Sequence, residues 1–360
     1  MVVSKKSPSE KIKEDYAAAR SLIEREIIST EQPESEIDLT TAVELSAQLL
    51  GEYVNLDWEH RGAILSLGSR IQSYANDKSR SRPLNIMMQA EPGSGKSHFI
   101  KCLANTRRFR GEVAAVTFNM AGMQGVEDLT QPLDAVRNLK VLDKTPILFL
   151  DEVDSDPQKY ALLLPLLWDG ELHVGHRDLK TGKVVIILAA SGRSIDQAMK
   201  NAKSMQKVEA PDGTKLVDLL SRINGGEFSI PELDAVKEGR DRRTDKVCIA
   251  ISLLKQRYGD SLDMVPWCLL RFIALTKFRY GVRSITHLIE LLPAPDLEKP
   301  GLIVDKLPFQ NVEKLKASSL AYHLISDDGP AAVMEHWKDS IEHKQVLVRI
   351  AKRDDDEIPF

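Results

Sequence analysis

The stretch AEPGSGKS, Ala90 to Ser97, ends a glycine-rich run with a lysine and a hydroxyl. That combination suits phosphate binding, in which backbone N–H groups wrap round the oxygens and a cation neutralises them. The pattern G-x-x-x-x-G-K-[ST] asks for glycine where this sequence has Ala90. The first position needs a small residue more than a special dihedral, so alanine is acceptable there. N–H groups from Gly93 to Ser97 would face the phosphates at a helix N-terminus, where the dipole favours negative charge. Lys96 would reach the β- and γ-phosphates, and Ser97 would sit on Mg²⁺. Glu91, Pro92, Ser94, Gly95 and His98 complete the expected lining.

A second group of candidates lies in ILFLDEVDS. An apolar strand that ends in two carboxylates is costly unless the charges act on something. Asp151 fits the role of holding Mg²⁺, directly or through water, and Glu152 that of polarising an attacking water. Alone, such an acidic pair is an ordinary strand end; following the loop in this order, it has a partner.

These residues need a frame. LNIMMQA before the loop reads as a strand and KSHFIKCLANTRR after it as a helix, the context that such a loop requires. Further apolar runs, EVAAVTFN, PILFLDE, KVVIILAAS and GEFSI, alternate with helical segments, which predicts an α/β domain with a five-stranded parallel sheet. Four zones are expected: a helical segment over 1–60, the α/β domain over 61–235, a helical lid over 236–293 and a helical tail over 294–360. The tail ends in the acidic run RDDDEIPF, expected to be solvated.

Bulk composition narrows the class. With 28% charged residues and a formal net charge of -4, the chain has no general pull toward nucleic acid or anionic membrane. Cys102, Cys248 and Cys268 match no C-x-x-C spacing, so buried reduced thiols are expected rather than a disulfide or metal framework. The N-terminus has no apolar leader, and PILFL and VVIILAA are far short of a membrane span. A cytoplasmic protein without a membrane partner is the expectation.

With loop and acidic pair in place, the chain resembles the AAA+ ATPase superfamily over roughly residues 60–293. The resemblance implies ATP and Mg²⁺ as cofactors. It makes Ser191, with Ser194 behind it, the nearest candidate for the residue that senses the γ-phosphate, although the usual asparagine is missing. In DLLSRINGGEFSIPEL it makes Arg222 a finger that reaches a neighbouring subunit's site, and in GVRSITHLIELL it makes Arg283 the lid arginine. The segment LLPLLWDGELHVGHRDLKTGKVVIILAASG resembles the Clp-type, MoxR-type and enhancer-binding branch, in which a β-hairpin precedes the sensor strand. His173 and His176 in it read as ordinary strand residues, since a metal pair would need further ligands.

Two functions follow. One is an oligomeric ring, a hexamer in most relatives, that hydrolyses ATP at subunit interfaces to remodel a protein client or adaptor. Met120 and Met123, in FNMAGMQGVEDL where relatives place a pore loop, could grip apolar partners or fill core. The other is an ATP-dependent switch assembled on nucleic acid, of the replication, transposition or defence kind. It rests on basic clusters at Lys78, Arg80 and Arg82, at Arg107, Arg108 and Arg110, and at Arg240, Arg242 and Arg243. An inactive scaffold is disfavoured because Lys96, Asp151, Glu152 and Arg222 are all present.

Overall fold

In this computed structural model, residues 7–30, 33, 35–191, 215–234, 242–260, 262–292, 294 and 346–351 are described. The path runs α1 (Pro8–Ile23), a π-helical turn (Glu24–Ser29), β1 (Ile37–Asp38), α2 (Thr40–Ala47), α3 (Trp58–Asn76), β2 (Leu84–Gln89) and α4 (Lys96–Ala104). Next come β3 (Val113–Asn119), α5 (Thr130–Val141), β4 (Thr145–Asp151), α6 (Tyr160–Asp169), the hairpin β5 (Glu171–Val174) and β6 (Arg177–Lys180), and β7 (Val185–Ala190). After the short helix Leu216–Leu220 come β8 (Glu227–Ser229), helix Arg243–Tyr258, β9 (Met264–Pro266), helices Trp267–Leu275 and Val282–Glu290, and β10 (Leu347–Arg349). Two compact units result: Gly62–Pro231, and Met1–Arg61 with Glu232–Phe360.

The first unit is built on the five-stranded parallel sheet that the apolar runs predict, in the order β3-β4-β7-β2-β8. Every residue of β7 is buried, as are the first five of β2, which is why these strands, Asn85 apart, are apolar there rather than alternating. One core packs Leu148, Leu150, Ile186 and Leu188 against Leu133 and Val136 of α5 and Leu163 and Leu166 of α6. Elsewhere Phe99 of α4 stacks on Phe228 of β8, ring centroids 4.8 Å apart. Because all five strands run the same way, the residues that follow β2, β4 and β7 emerge at one edge. With β7 between β2 and β4, that edge gathers the glycine-rich loop, Ser191 and Asp151.

The entry to β8 depends on one glycine. Gly225 N–H donates to Asn85 O at 2.7 Å, and a Cβ there would lie 2.6 Å from Ile86 Cγ1 and 2.8 Å from Asn85 O. Only a residue without a side chain lets this backbone pass against β2.

In the second unit the N-terminal segment and the later helices, read from sequence as separate zones, share one core. Tyr16, Ile23, Ile27 and Leu39 pack with Val247, Ile251, Trp267, Phe272, Leu288 and Val348. The π turn leaves carbonyls without their usual donors, and buried side chains supply them: Trp267 Nε1 donates to Glu26 O at 2.9 Å, and Arg271 Nη1 to Ile28 O at 2.8 Å. A three-stranded sheet in the order β1-β10-β9 joins the ends of this unit. Within the zone expected to be a helical lid, Met264–Pro266 instead forms a strand before the helix Trp267–Leu275 begins. In the segment expected to be helical, α2 stops at Ala47, and Gly51 adopts φ 63.

Near the start of α3, Asp57 Oδ1 accepts from Glu59 N at 2.8 Å and His60 N at 3.0 Å, an N-cap. Arg242 pairs with Asp245 at 2.8 Å beneath it, both side chains almost wholly buried. Burial, then the Arg242 charge, pushes the His60 imidazole down to about 4. All three cysteines are buried, and none of them forms a disulfide. Among the described residues, no helix is long and apolar enough to cross a membrane.

Candidate functional site

The loop between β2 and α4 is shaped by its glycines. Gly93 and Gly95 take φ 79 and φ 85, and Gly95 caps α4, so the chain turns with its N–H groups at the helix start. Ala90 is buried, donates its N–H to Ala190 O at 3.1 Å, and is not among the positive-φ residues. Nothing in its backbone therefore demands glycine. Ser94 Oγ is buried and finds no hydrogen-bond partner among the described residues. Ser97 is exposed on the first turn of α4, while Glu91 and His98 are half-buried and Pro92 is exposed at either end of the loop.

The structure brings loop and acidic strand end together. Lys96 Nζ lies 3.4 Å from Asp151 Oδ1 and 3.4 Å from Ala90 O. Asp151 Oδ1 also accepts from Glu152 N at 2.9 Å. Glu152 is exposed and held in the left-handed region at φ 54, ψ 42, a conformation that costs a non-glycine residue energy and ends the strand direction there. Ser191 is locked at the end of β7: its N–H and its hydroxyl donate to Asp154 Oδ2 at 3.0 and 2.5 Å. Asp154 was not singled out from the sequence. The visible signal was its place in DEVDS, one turn beyond the pair.

Arg222 stands elsewhere in the same unit. Its carbonyl accepts from Asn85 Nδ2 at 2.9 Å, and Asn85 lies at the start of β2, whereas the loop leaves from the end of β2. From Asn85 to Ala90 is about 16 Å along an extended strand, beyond an arginine side chain. The Arg222 guanidinium lies over the Trp168 ring, 5.2 Å from its centroid. Arg283 belongs to the other unit, exposed on the first turn of helix Val282–Glu290.

Several secondary expectations meet corrections. Met120 and Met123 are 1% and 3% exposed and pack with Leu129 and Leu133, so they fill core and grip nothing. The expected hairpin is present and packs against the sheet, with Leu172, Val174 and Leu179 buried in the same core. His173 is in β5 and bonds Asp178 at 2.6 Å, but His176 is in the turn. Of the basic clusters, Arg242 is buried against Asp245, and Arg108 is engaged by Gln72 and Ser69. Arg107 and Arg110 are exposed. Ser194, Arg240, most of the tail and its acidic run lie outside the described residues.

Loop, helix start and five-stranded parallel sheet together are the α/β P-loop NTPase fold. Residues 68–139 match the model of the KAP family P-loop domain. No curated protein sequence matches the chain. Among solved structures, NtrX from Brucella abortus in complex with ATP is similar at 18% identity over 77% of this chain and 67% of that one, TM-score 0.42. The same protein in complex with ADP gives 17% identity over the same shares, TM-score 0.43. The S. cerevisiae Hsp104–ADP complex gives 16% identity and TM-score 0.35; the match covers 61% of this chain but only 44% of the Hsp104 chain.

Proposed function

We propose that this chain binds ATP with Mg²⁺ at the loop after β2 and hydrolyses it at interfaces between copies in an oligomeric ring, in the manner of AAA+ ATPases, to remodel a macromolecular partner. The observation that carries the reading is the convergence of two motifs far apart in sequence, with Lys96 Nζ 3.4 Å from Asp151 Oδ1 at the mouth of a glycine-shaped loop. The donor set fits a metal–nucleotide: backbone N–H groups at a helix start, an ammonium, a serine hydroxyl at Ser97 and a strand-end carboxylate. The buried, unpartnered Ser94 hydroxyl is a further donor awaiting an acceptor.

Each residue then has a defined part. Lys96 exchanges Asp151 for phosphate oxygens. Ser97 Oγ and Asp151 hold the metal, which when bound supplies positive charge to the β- and γ-phosphate oxygens. Glu152, turned out of the strand, accepts a hydrogen bond from the attacking water and polarises it. Ser191, fixed by Asp154, stands at the same sheet edge and faces the γ-phosphate. Arg222 serves a neighbouring copy, because it stands at the far end of β2 from its own loop; Arg283 closes the lid over the nucleotide. The hairpin between α6 and β7 supports the hairpin-bearing branch of the superfamily.

Hydrolysis measured for Lys96→Ala and Arg222→Ala, separately and mixed, tests this. Lys96→Ala should bind nucleotide at least 10- to 100-fold more weakly, whereas Arg222→Ala should bind it and turn over about 10³-fold more slowly. The mixture should recover activity, since an intact Lys96 site then meets an intact Arg222. Full turnover by Arg222→Ala, independent of protein concentration, would rule out the shared site.

A further inference from the structure

Trp168, the penultimate residue of α6, keeps 47% of its surface exposed, yet two cations rest on it. Arg82 Cζ lies 4.6 Å and Arg222 Cζ 5.2 Å from its ring centroid. Neither guanidinium has a carboxylate partner among the described residues, and Arg222 Nε is buried without any hydrogen bond. Two like charges gathered on one indole repel each other, and the ring quadrupole offsets only part of that. Such a pair is relieved by an anion that both can bind. The arrangement is also built rather than incidental. Asn85, wholly buried between Leu84 and Ile86, donates through Nδ2 to Leu167 O at 2.7 Å and to Arg222 O at 2.9 Å. One amide thus clips the end of α6 beside the backbone of Arg222. Arg82 is held from the other side, its carbonyl accepting from Tyr74 OH at 2.8 Å.

We propose that Arg82, Trp168 and Arg222 form one anion-binding unit, in which Trp168 positions two guanidiniums for the terminal phosphate of a nucleotide bound to a second copy of this chain. This rests on the reading of Arg222 as a residue acting in trans, and adds Arg82 as a second cation on the same phosphate. Guanidinium suits both duties, since it stacks on an aromatic face and still presents a fork of N–H donors to phosphate oxygens. Its own loop is excluded as the source of the phosphate, because all three residues gather at the start of β2 and the loop departs from its end.

The test is steady-state ATP hydrolysis by Arg82→Ala, Trp168→Ala, Trp168→Phe and Arg222→Ala, with nucleotide affinity measured separately by titration of a fluorescent ATP analogue. Arg82→Ala should lower kcat about tenfold or more, the scale of a lost charge-assisted hydrogen bond, with affinity unchanged. Trp168→Ala should lower kcat about 3- to 5-fold, the scale of a lost cation–π contact, and Trp168→Phe should restore most of it. Mixing Arg82→Ala with Lys96→Ala should recover activity. Mixing Arg82→Ala with Arg222→Ala should not, because every interface then lacks one cation of the pair. If Arg222→Ala is slow while Arg82→Ala and Trp168→Ala turn over at the wild-type rate, the joint unit is refuted and the trans reading of Arg222 stands. Wild-type turnover by Arg222→Ala removes both. Loss of nucleotide affinity in parallel with kcat in Trp168→Ala, without rescue by phenylalanine, assigns Trp168 to structure alone and overturns the proposal.

Discussion

Replacing Glu152 with glycine should make the protein more stable and leave it unable to turn over. The backbone there lies at φ 54, ψ 42, where a Cβ costs roughly 1–2 kcal/mol. Glycine removes that cost but adds about 0.5–1 kcal/mol of backbone entropy on folding. The Glu152 side chain is exposed, so its loss forfeits no packing. Glu152→Ala keeps the Cβ and loses the carboxylate, and is therefore the proper reference. The glycine variant should exceed it by about 1 kcal/mol, or roughly 2–4 °C in Tm for a unit of this size. Urea and thermal unfolding without nucleotide measure the difference, and hydrolysis assays run on the same preparations. Both variants, and Glu152→Gln with them, should retain nucleotide and lose hydrolysis. A glycine variant no more stable than the alanine one would refute the strain. Hydrolysis by Glu152→Gln at the wild-type rate would refute the role assigned to the carboxylate.

Lys96→Ala should weaken nucleotide binding at least 10- to 100-fold, the scale of a charge-assisted contact, and an unchanged affinity by titration would reject the loop as the site. Asp151→Asn should instead flatten the dependence of affinity on Mg²⁺ concentration. Gly225→Ala should cost about 1–3 kcal/mol in urea unfolding, since its Cβ would sit 2.6 Å from Ile86 Cγ1. Deleting the hairpin from Glu171 to Lys183 should now lower stability, because Leu172 and Leu179 leave the core with it. His60 titrates near its ordinary 6.5 when unfolded but only at about 4 when folded, so the unfolded chain binds more protons between those values. Its contribution is complete above pH 6.5 and declines by up to about 3 kcal/mol as pH falls to 4. His60→Gln should remove that slope from unfolding curves taken across the window.

What the sequence made legible is what short-range chemistry dictates. The central strands β2, β4 and β7 were readable because parallel strands covered on both faces are largely apolar, and the loop because Gly93 and Gly95 need positive φ. Asp154 and Asn85 were not, since their partners Ser191, Leu167 and Arg222 are distant in sequence. Asn85 did leave a trace, an amide set between the apolar Leu84 and Ile86. The sheet of β1, β10 and β9 escaped because strands of two and three residues carry no periodicity, and Pro266 argues against a strand. Hairpin burial escaped because Leu172 and Leu179 alternate with polar residues, a pattern that gives one buried face without saying what buries it.

The three-stranded sheet also bears on the order in which the chain acquires its shape during synthesis. β10 is the middle strand: Val348 pairs with Ile37 on one side and with Val265 on the other. Until Leu347–Arg349 has left the ribosome, the strand edges of β1 and β9 have nothing between them. The unit Gly62–Pro231 has no such debt to later residues, since all its strands are translated by Ser229. On a ribosome that adds about 5–20 residues per second, the five-stranded sheet therefore completes first. The buried face of the N-terminal segment, with Ile23, Ile27 and Leu39, waits through its synthesis for a core that arrives last. That interval is when a chaperone would engage this chain, and the segment before α3 is what it would hold.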